Sequence, residues 1–251
     1  MIQLTIIRIE GYGQWTLTLG SDREAQLQML QARIYHDVQR LFSERESIVF
    51  FNRFDEYFAI TNGLDADDHL RIQHELTRLY DNMSMSMTIG TGKTAFEANI
   101  NAYCTRKEGR NMLGNNSKIF GSVNSHADIA QIMHIDIDSS TKVGNWLSPY
   151  ELTALVMKIY SRLAEEFLKH NSLAFFLGGD NVMVISNGMS KEQADVVLKK
   201  VTAGNDIKLN CGIGIGKTGR RAAEAATKAL DTIRDLREEG KIQTIYEIQC
   251  P

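Results

Sequence analysis

The stretch LAFFLGGDNVMVISNG, Leu173 to Gly188, reads as two apolar strands joined by a tight Gly-Gly-Asp-Asn turn. An earlier stretch, IVFFNRFDEYFAITNG from Ile48 to Gly63, has the same outline. Both stretches end in Asn-Gly, and Asn62 and Asn187 are 125 positions apart. Self-similarity at a fixed period indicates an internal repeat, so we interpret the chain as two related halves.

Each predicted hairpin stands in the same succession of elements. A strand of alternating apolar residues and an amphipathic helix precede it, and a helix, a strand and a further helix follow it. Capping residues mark the helix N-termini, and Pro149 adds a first-turn signal to one of them. The predicted N-caps are Ser21, Asp65, Thr94, Ser148 and Ser190.

The order β-α-β-β-α-β with a trailing helix is the split βαβ, or ferredoxin-like, plan. We therefore predict an α+β fold of two tandem ferredoxin-like domains, each an antiparallel sheet with its helices on one face. The other face is expected to stay open for a ligand or a second sheet. Asn, Ser and Gly cluster from Asn115 to His126, so we place the domains at residues 1–120 and 121–251.

Composition excludes several classes of protein. The 251 residues include 28 basic and 31 acidic side chains, so the chain lacks the overall positive charge of a nucleic-acid-binding protein. No apolar run is long enough to span a membrane, and the start MIQLTIIRIE reads as a strand rather than a signal peptide. The three cysteines are too widely spaced for a compact zinc site. We expect a cytoplasmic protein with neither a nucleic-acid nor a membrane partner.

Acidic residues gather on the predicted open face of the second half. Because side chains alternate along a strand, Asp136 and Asp138 of HIDID share that face while the isoleucines between them point to the helices. The neighbouring hairpin brings Asp180 towards them. Three converging carboxylates are ligands of the kind that Mg²⁺ takes, with water and substrate phosphate completing its shell.

Glycines fit the same interpretation. Gly178 and Gly179 would let the backbone approach a bulky anion beside Asp180, although such a turn forms without any ligand. The last strand of each half carries small residues at every second position, which indicates a ligand or a backbone close to that face, and sheet-to-sheet packing is the alternative. These residues are Gly212, Gly214 and Gly216 in the second half, and Ser84, Ser86 and Thr88 in the first.

Three other residues are candidates for the site. Lys217 and Arg220 open a helix whose N-terminus favours anions, so we interpret them as phosphate contacts, with a solvated charged surface as the alternative. The surrounding GIGIGKTG is not a P-loop, because Cys211 stands where that motif needs its first glycine. His134 shares the Asp136 face and is placed for acid–base chemistry.

The two halves differ in charge where they align. Arg8 falls opposite Asp136, and the first half lacks the glycine pair. We infer that the main metal–phosphate site lies in the second half. The first half keeps Glu10 and Asp55, and it either recognises another part of the substrate or is a degenerate copy.

An Asp-x-Asp strand followed by a Gly-Gly-Asp hairpin resembles the palm domain of nucleotide cyclases and GGDEF-type diguanylate cyclases. The whole chain resembles the archaeal GTP cyclohydrolase III family. The resemblance runs through IIRIEGYGQWT, FFNRFDEYFAITNG, HIDID, LAFFLGGDNVMVISNGMS and GIGIGKT. Asn181 stands where the GGDEF signature has Glu, which argues against cyclic dinucleotide synthesis.

This resemblance implies an enzyme that adds water at C8 of GTP, opens the imidazole ring with the formyl group retained, and releases two phosphates. It also implies two Mg²⁺ ions, activation by K⁺, a homo-oligomer (dimer or tetramer) and a place in flavin and deazaflavin synthesis. The implied metal ligands are Asp136, Asp180, the Ile137 carbonyl and Asp138. Asp136, Asp180 and His134 would be catalytic, and the implied nucleotide contacts are Gly178, Gly179, Asn181, Lys217 and Arg220. A nucleotidyl cyclase and a non-catalytic nucleotide sensor are the rival functions.

Overall fold

The structure of the protein is a computed structural model that describes residues 1–109, 117–124, 126–127, 129–137, 147–204 and 207–250. These residues form a mixed α+β fold with two five-stranded sheets, one in each half of the chain. Asp138, expected as a metal ligand, lies outside the described residues, as does part of the predicted linker.

The first half holds strands β1 to β5 and helices α1 to α4. The strands are Ile2–Glu10, Ile48–Arg53, Glu56–Ile60, Ser84–Gly92 and Ile119–Phe120. The helices are Tyr12–Leu17, Glu24–Ser43, Ala66–Leu79 and Ala95–Lys107.

The second half holds strands β6 to β10 and helices α5 to α7. The strands are Ala130–Ile137, Leu173–Gly178, Asn181–Ile185, Leu209–Gly216 and Ile245–Gln249. The helices are Pro149–Lys169, Lys191–Thr202 and Gly219–Glu238.

Both sheets have equivalent strand orders, β2-β3-β1-β4-β5 and β7-β8-β6-β9-β10. The six pairings between the predicted strands, three in each sheet, are antiparallel, and β1 and β6 lie in the middle of their sheets. The sequence pattern missed β5 and β10, which add in parallel to the edges formed by β4 and β9. β5 has only two residues, too few to show a periodic pattern.

Four of the five predicted helix N-caps are confirmed. Asp65, Ser148 and Ser190 form capping boxes, and the Thr94 side chain accepts a hydrogen bond from the Glu97 backbone N–H. The Ser21 prediction is wrong, because α2 begins at Glu24 after Arg23 and has no side-chain cap.

Helices cover both faces of each sheet, so the prediction of helices on one face only is wrong. Helix α7 lies directly on β9, where a Cβ atom added to Gly212 or Gly214 would stand 2.1 Å from the backbone oxygen of Ala226 or Ala222. No side chain fits in that space. The glycine stripe therefore accommodates a helix backbone rather than a ligand.

The opposite face of the second sheet forms the apolar core with α5 and α6. Met133, Ile135 and Ile137 of β6 are buried there among residues of both helices, such as Val156 and Val197. Strand alternation then places His134 and Asp136 on the α7 face, as the sequence pattern predicts. The face is right, but α7 lies over part of it.

The two Asn-Gly segments act in the same way in both halves. Asn62 accepts a hydrogen bond from the Gln3 backbone N–H at 2.9 Å, and Asn187 accepts one from the Gln131 N–H at 3.0 Å. Each asparagine thus ties the end of a hairpin to the start of the central strand. The internal repeat is therefore visible in buried hydrogen bonds as well as in sequence.

The halves pack against each other through an apolar cluster that contains residues of both sheets. Phe50 stacks on Phe175 with ring centroids 4.8 Å apart. Gly219, at the start of α7, lies so close to Ile60 that an added Cβ atom would stand 2.7 Å from the Ile60 Cβ. Among the described residues, no helix combines the length and apolarity needed to cross a bilayer.

Candidate active site

The β7–β8 hairpin presents Asp180 at the end of the second sheet. Gly178 and Gly179 have φ of 110° and 62°, in the region that side chains rarely adopt. A Cβ atom added to either glycine would meet nothing within 4 Å. The glycines are therefore required by the backbone path of the turn, and the space beside them is open.

Asp136 lies on the neighbouring strand, close to the same hairpin. In the β6–β8 register Asp136 pairs with Asn181, the residue after Asp180. Its side chain is largely buried, and its Oδ2 lies 3.7 Å from Nη2 of Arg234 on α7. The structure thus brings Asp136 and the hairpin turn together at one edge of the molecule, as the sequence pattern predicts.

His134 joins this group through its ring nitrogens. Its Nε2 lies 3.0 Å from Oδ1 of Asn181, and the Asn181 amide donates to Oδ1 of Asp180 at 2.8 Å. Its Nδ1 lies 3.2 Å from the hydroxyl of Thr227 on α7. Burial lowers the pKa of His134, although hydrogen bonding to Asn181 and the charge of Asp136 act in the opposite direction. The imidazole is therefore neutral at pH 7.

Three α7 residues at this site were not found from the sequence. Thr227 contacts His134, Arg234 faces Asp136, and Arg237 donates to the side chain of Asn210 at 3.0 Å. Thr227 and Arg234 are seven positions apart, a spacing that puts them on one side of a helix. That spacing was a usable signal, but only with the knowledge that α7 covers this face.

Lys217 and Arg220 are not part of this group, because the structure places them away from Asp136. Asp136 pairs with Asn210 near the start of β9, whereas Gly216, just before Lys217, pairs at the other end with Ala130. The two ends lie about 20 Å apart at the usual rise of a β-strand.

Arg220 instead joins the two halves of the chain. Its backbone N–H donates to the carbonyl of Glu46 at 3.0 Å, and its guanidinium donates to the carbonyl of Ser43 at 3.1 Å. Both carbonyls belong to the end of α2 and the turn after it. The first residues of α7 therefore serve the contact between the halves.

The donor set of the second half fits Mg²⁺. Within the described ranges, no three His, Cys, Asp or Glu side chains are grouped so that they could hold a metal alone. Mg²⁺, however, commonly uses one or two carboxylates and completes its shell with water and phosphate oxygens. Asp136, Asp180 and the carbonyl of Ile137 at the end of β6 are oxygen donors of this kind.

The matching acidic residues of the first half are each paired with an arginine. Arg106 binds both oxygens of Glu10 at 2.8 Å, Arg8 bonds to Glu56, and Arg53 lies 3.1 Å from Asp55. Burial raises the pKa of Glu10, but hydrogen bonds from Ser86 and Arg106 and the charge of Arg106 lower it by more, so the pKa of Glu10 is below its ordinary value. The first half neutralises its own carboxylates.

The model of the GTP cyclohydrolase III family matches residues 1–247, almost the whole chain. The chain belongs to the GTP cyclohydrolase III family.

Full-length relatives agree with this membership. The family's protein from Methanosphaera stadtmanae is 39% identical over 239 residues, which cover 93% of each chain. The one from Methanocaldococcus jannaschii is 39% identical over 251 residues, which cover 98% of this chain and 93% of the relative. As a member of the GTP cyclohydrolase III family, the chain is an enzyme.

Solved structures give a weaker likeness. A GGDEF domain from Pseudomonas aeruginosa matches 51% of this chain and 87% of its own length, with 16% identity and a TM-score of 0.41. A score this low supports no inference about activity. Assignment to the GTP cyclohydrolase III family therefore stands on the sequence comparisons.

Proposed function

We propose that this enzyme hydrolyses GTP at the second-half site, which contains Asp136 and Asp180. Water adds at C8 and the C8–N9 bond breaks, so the imidazole ring opens with the formyl group retained on N7, and two further waters hydrolyse the triphosphate to the monophosphate and two phosphates. The product is 2-amino-5-formylamino-6-(5-phosphoribosylamino)pyrimidin-4(3H)-one. The cyclohydrolase function follows from family membership, whereas the course of the reaction and the site residues are the proposal.

One observation carries the choice of site. The carboxylates of the first half each have an arginine partner within the same half: Glu10 with Arg106, Glu56 with Arg8 and Asp55 with Arg53. At the positions that match these three arginines, the second half has Asp136, Gly178 and Leu230. The second half therefore has a further carboxylate, Asp136, at the position of Arg8. Although Arg234 faces it, two carboxylates on neighbouring strands favour this half as the place where a metal ion binds.

Asp136 and Asp180 would hold Mg²⁺ together with the backbone oxygen of Ile137. When bound, Mg²⁺ would supply charge neutralisation for the triphosphate and activation of water. Family resemblance suggests two Mg²⁺ ions and activation by K⁺. We therefore propose two Mg²⁺ ions, activation by K⁺ and assembly into a homo-oligomer.

The chain's own residues contribute positioning and charge. The open space beside Gly178 and Gly179 leaves room for a phosphate to approach the turn backbone. Arg234 lies on the exposed side of α7 next to Asp136, where its positive charge favours an incoming polyanion. The two ring nitrogens of His134 contact Thr227 and Asn181, so His134 would arrange the site rather than exchange protons with the substrate.

Incubation of the purified protein with GTP, Mg²⁺ and K⁺ tests the proposal. Mass spectrometry should show the formylaminopyrimidine monophosphate, the purine absorbance should change, and two phosphates should appear per GTP. A cyclic nucleotide with an unchanged purine spectrum would instead identify a nucleotidyl cyclase. Binding of GTP without phosphate release or a spectral change over hours would identify a nucleotide sensor.

A further inference from the structure

We propose that Thr227, His134 and Asn181 form a chain of hydrogen bonds that fixes the orientation of the Asp180 carboxylate. The inference rests on the proposed function, in which Asp180 is a metal ligand. It assigns positioning roles to three side chains, one of which, Thr227, lies on a helix outside the hairpin and its sheet.

The chain spans three elements of the second half. It runs from Thr227 on α7, through His134 on β6, to Asn181 at the start of β8. Each contact is within hydrogen-bond distance, at 3.2, 3.0 and 2.8 Å in order towards Asp180. A hairpin turn is thereby tied to the helix on the face of the sheet.

The chemistry of the groups sets the direction of every bond. An ionised Asp180 only accepts, so the NH₂ group of Asn181 must face it and the amide oxygen must face His134. That oxygen also only accepts, so Nε2 of His134 carries the proton. In the neutral ring Nδ1 then accepts from the Thr227 hydroxyl. All donors point towards the carboxylate.

The two residues before Asp180 contribute no side chain that could orient its carboxylate. Two glycines with positive φ precede Asp180, and nothing packs against the position of their missing side chains. A residue that hydrogen-bonds to a metal ligand from behind holds that ligand in the orientation that binds the metal, and this strengthens metal binding. The hydrogen bond from Asn181 supplies this restraint at Oδ1 of Asp180.

At the matching positions, all of them among the described residues, the first half cannot form an equivalent chain, although its backbone is arranged in the same way. Ile6, Glu56 and Tyr103 occupy the positions that match His134, Asn181 and Thr227. An isoleucine at the central position cannot relay a hydrogen bond. Asp55, which matches Asp180, is instead held by an ion pair with Arg53. The chain therefore occurs only in the half that we propose to be active.

Substitutions at His134 separate positioning from space filling. His134→Gln keeps an N–H donor at a similar reach, whereas His134→Phe keeps the ring volume and loses the donor. We expect His134→Phe to lower kcat at least about tenfold and to raise the half-saturating Mg²⁺ concentration. The kcat of His134→Gln should stay within about threefold of the wild-type value, because the variant only weakens one hydrogen bond. Equal activity of both variants would overturn the proposal.

Thr227→Val tests the outer end of the chain. Removing one hydrogen bond should lower kcat about threefold to tenfold with little change in KM for GTP. Thr232→Val is the matched control, because Thr232 lies on the same helix and its hydroxyl bonds to the carbonyl of Lys228. A Thr227→Val enzyme as active as the control would contradict the proposal.

The proton position on His134 gives a readout that does not depend on turnover. ¹⁵N-histidine NMR of the metal-free wild-type protein at pH 7.5 should show His134 as the neutral tautomer protonated at Nε2, assigned by its absence from the His134→Gln spectrum. A proton on Nδ1 instead would reverse the chain and overturn the proposal.

Failure of the positioning chain is distinguishable from failure of the proposed function. If Asp180→Asn stays fully active, the metal assignment itself is wrong. If Asp180→Asn is inactive while His134→Phe matches His134→Gln, the site is right and the chain is wrong.

Discussion

The two halves of the molecule share a backbone plan and differ in charge at the end of the central strand. In the first half Arg8, Arg53 and Arg106 neutralise the neighbouring carboxylates. The positions of these arginines are taken in the second half by Asp136, Gly178 and Leu230. The second half thus places one carboxylate and two uncharged residues where the first half has its three arginines.

The comparison shows which features serve the fold and which serve the site. Features present in both halves have structural explanations, as with the Asn-Gly segments that bond to Gln3 and Gln131 and the glycines that admit α4 and α7. The differences in charge lie where β1 and β6 end. Variants at matched positions therefore test the division directly.

The largest difference is expected between Asp180→Asn and Asp55→Asn. Asp180→Asn should lower GTP turnover at least about 100-fold, because an amide is a poor Mg²⁺ ligand compared with a carboxylate. Asp55→Asn, at the matching position of the first half, should keep turnover within about threefold because the Asp55 carboxylate forms an exposed ion pair with Arg53. Phosphate release and circular dichroism of both variants provide the measurement.

The glycine stripe predicts a loss of stability. In Gly214→Ala the new methyl group would stand 2.1 Å from the Ala222 carbonyl oxygen, so α7 must move away from the sheet. We expect a loss of about 2–3 kcal/mol in the free energy of unfolding. Gly13→Ala is the control, because its Cβ atom meets nothing within 4 Å. If Gly214→Ala weakened GTP binding and left stability unchanged, the stripe would serve a ligand after all.

Much of the fold was predictable from local signals. The repeat, the order of elements and the caps at Asp65, Thr94, Ser148 and Ser190 depend on short-range patterns that the structure confirms. The prediction that helices cover only one face was wrong, because alternate glycines indicate close approach without telling whether a helix or a ligand approaches. Periodicity within a strand carries no information on what lies above it.

The candidate site was predictable only in part. Asp136, Asp180 and His134 share a face because strands alternate, and the structure brings them to one edge. Lys217 and Arg220 were placed with them on the general affinity of helix N-termini for anions. The direction of β9 puts these residues at the far end of the sheet, and strand direction becomes clear only after the pairing is known.

An internal ion pair of the first half should matter for stability and not for turnover. Arg106→Met removes the partner of Glu10 and should cost about 1 kcal/mol at pH 7, since both side chains are about a third exposed and water screens them. Turnover should stay within about threefold.

The same pair predicts a pH dependence. The pKa of Glu10 is lowered in the folded protein. The ion pair therefore contributes fully to the free energy of unfolding above the ordinary pKa of 4.5, and this contribution is lost as the pH falls through the pKa of the folded protein. The stability difference between wild type and Arg106→Met should therefore shrink below pH 4.5 in urea unfolding. A difference that stayed constant from pH 7 to pH 3 would exclude an electrostatic origin.

The smallest expected effect concerns a buried histidine found only in the first half. His69 is fully buried, with Nδ1 donating to the Asp65 carbonyl at 2.6 Å and Nε2 accepting from Thr5 at 2.8 Å. Met133 and Ala194 occupy the matching positions of Thr5 and His69 in the second half.

Burial lowers the pKa of His69, and the charges and carbonyl near it only partly oppose that effect. Below pH 6.5 the unfolded chain binds a proton at this histidine that the folded protein does not bind. The free energy of unfolding therefore decreases as the pH is lowered, by at most about 1.4 kcal/mol per pH unit. The double variant Thr5→Met/His69→Ala copies the second half and should lose this component. Urea unfolding at pH 7.5 and 5.5 measures it, and parallel losses in wild type and variant would show that His69 already carries its proton in the folded state.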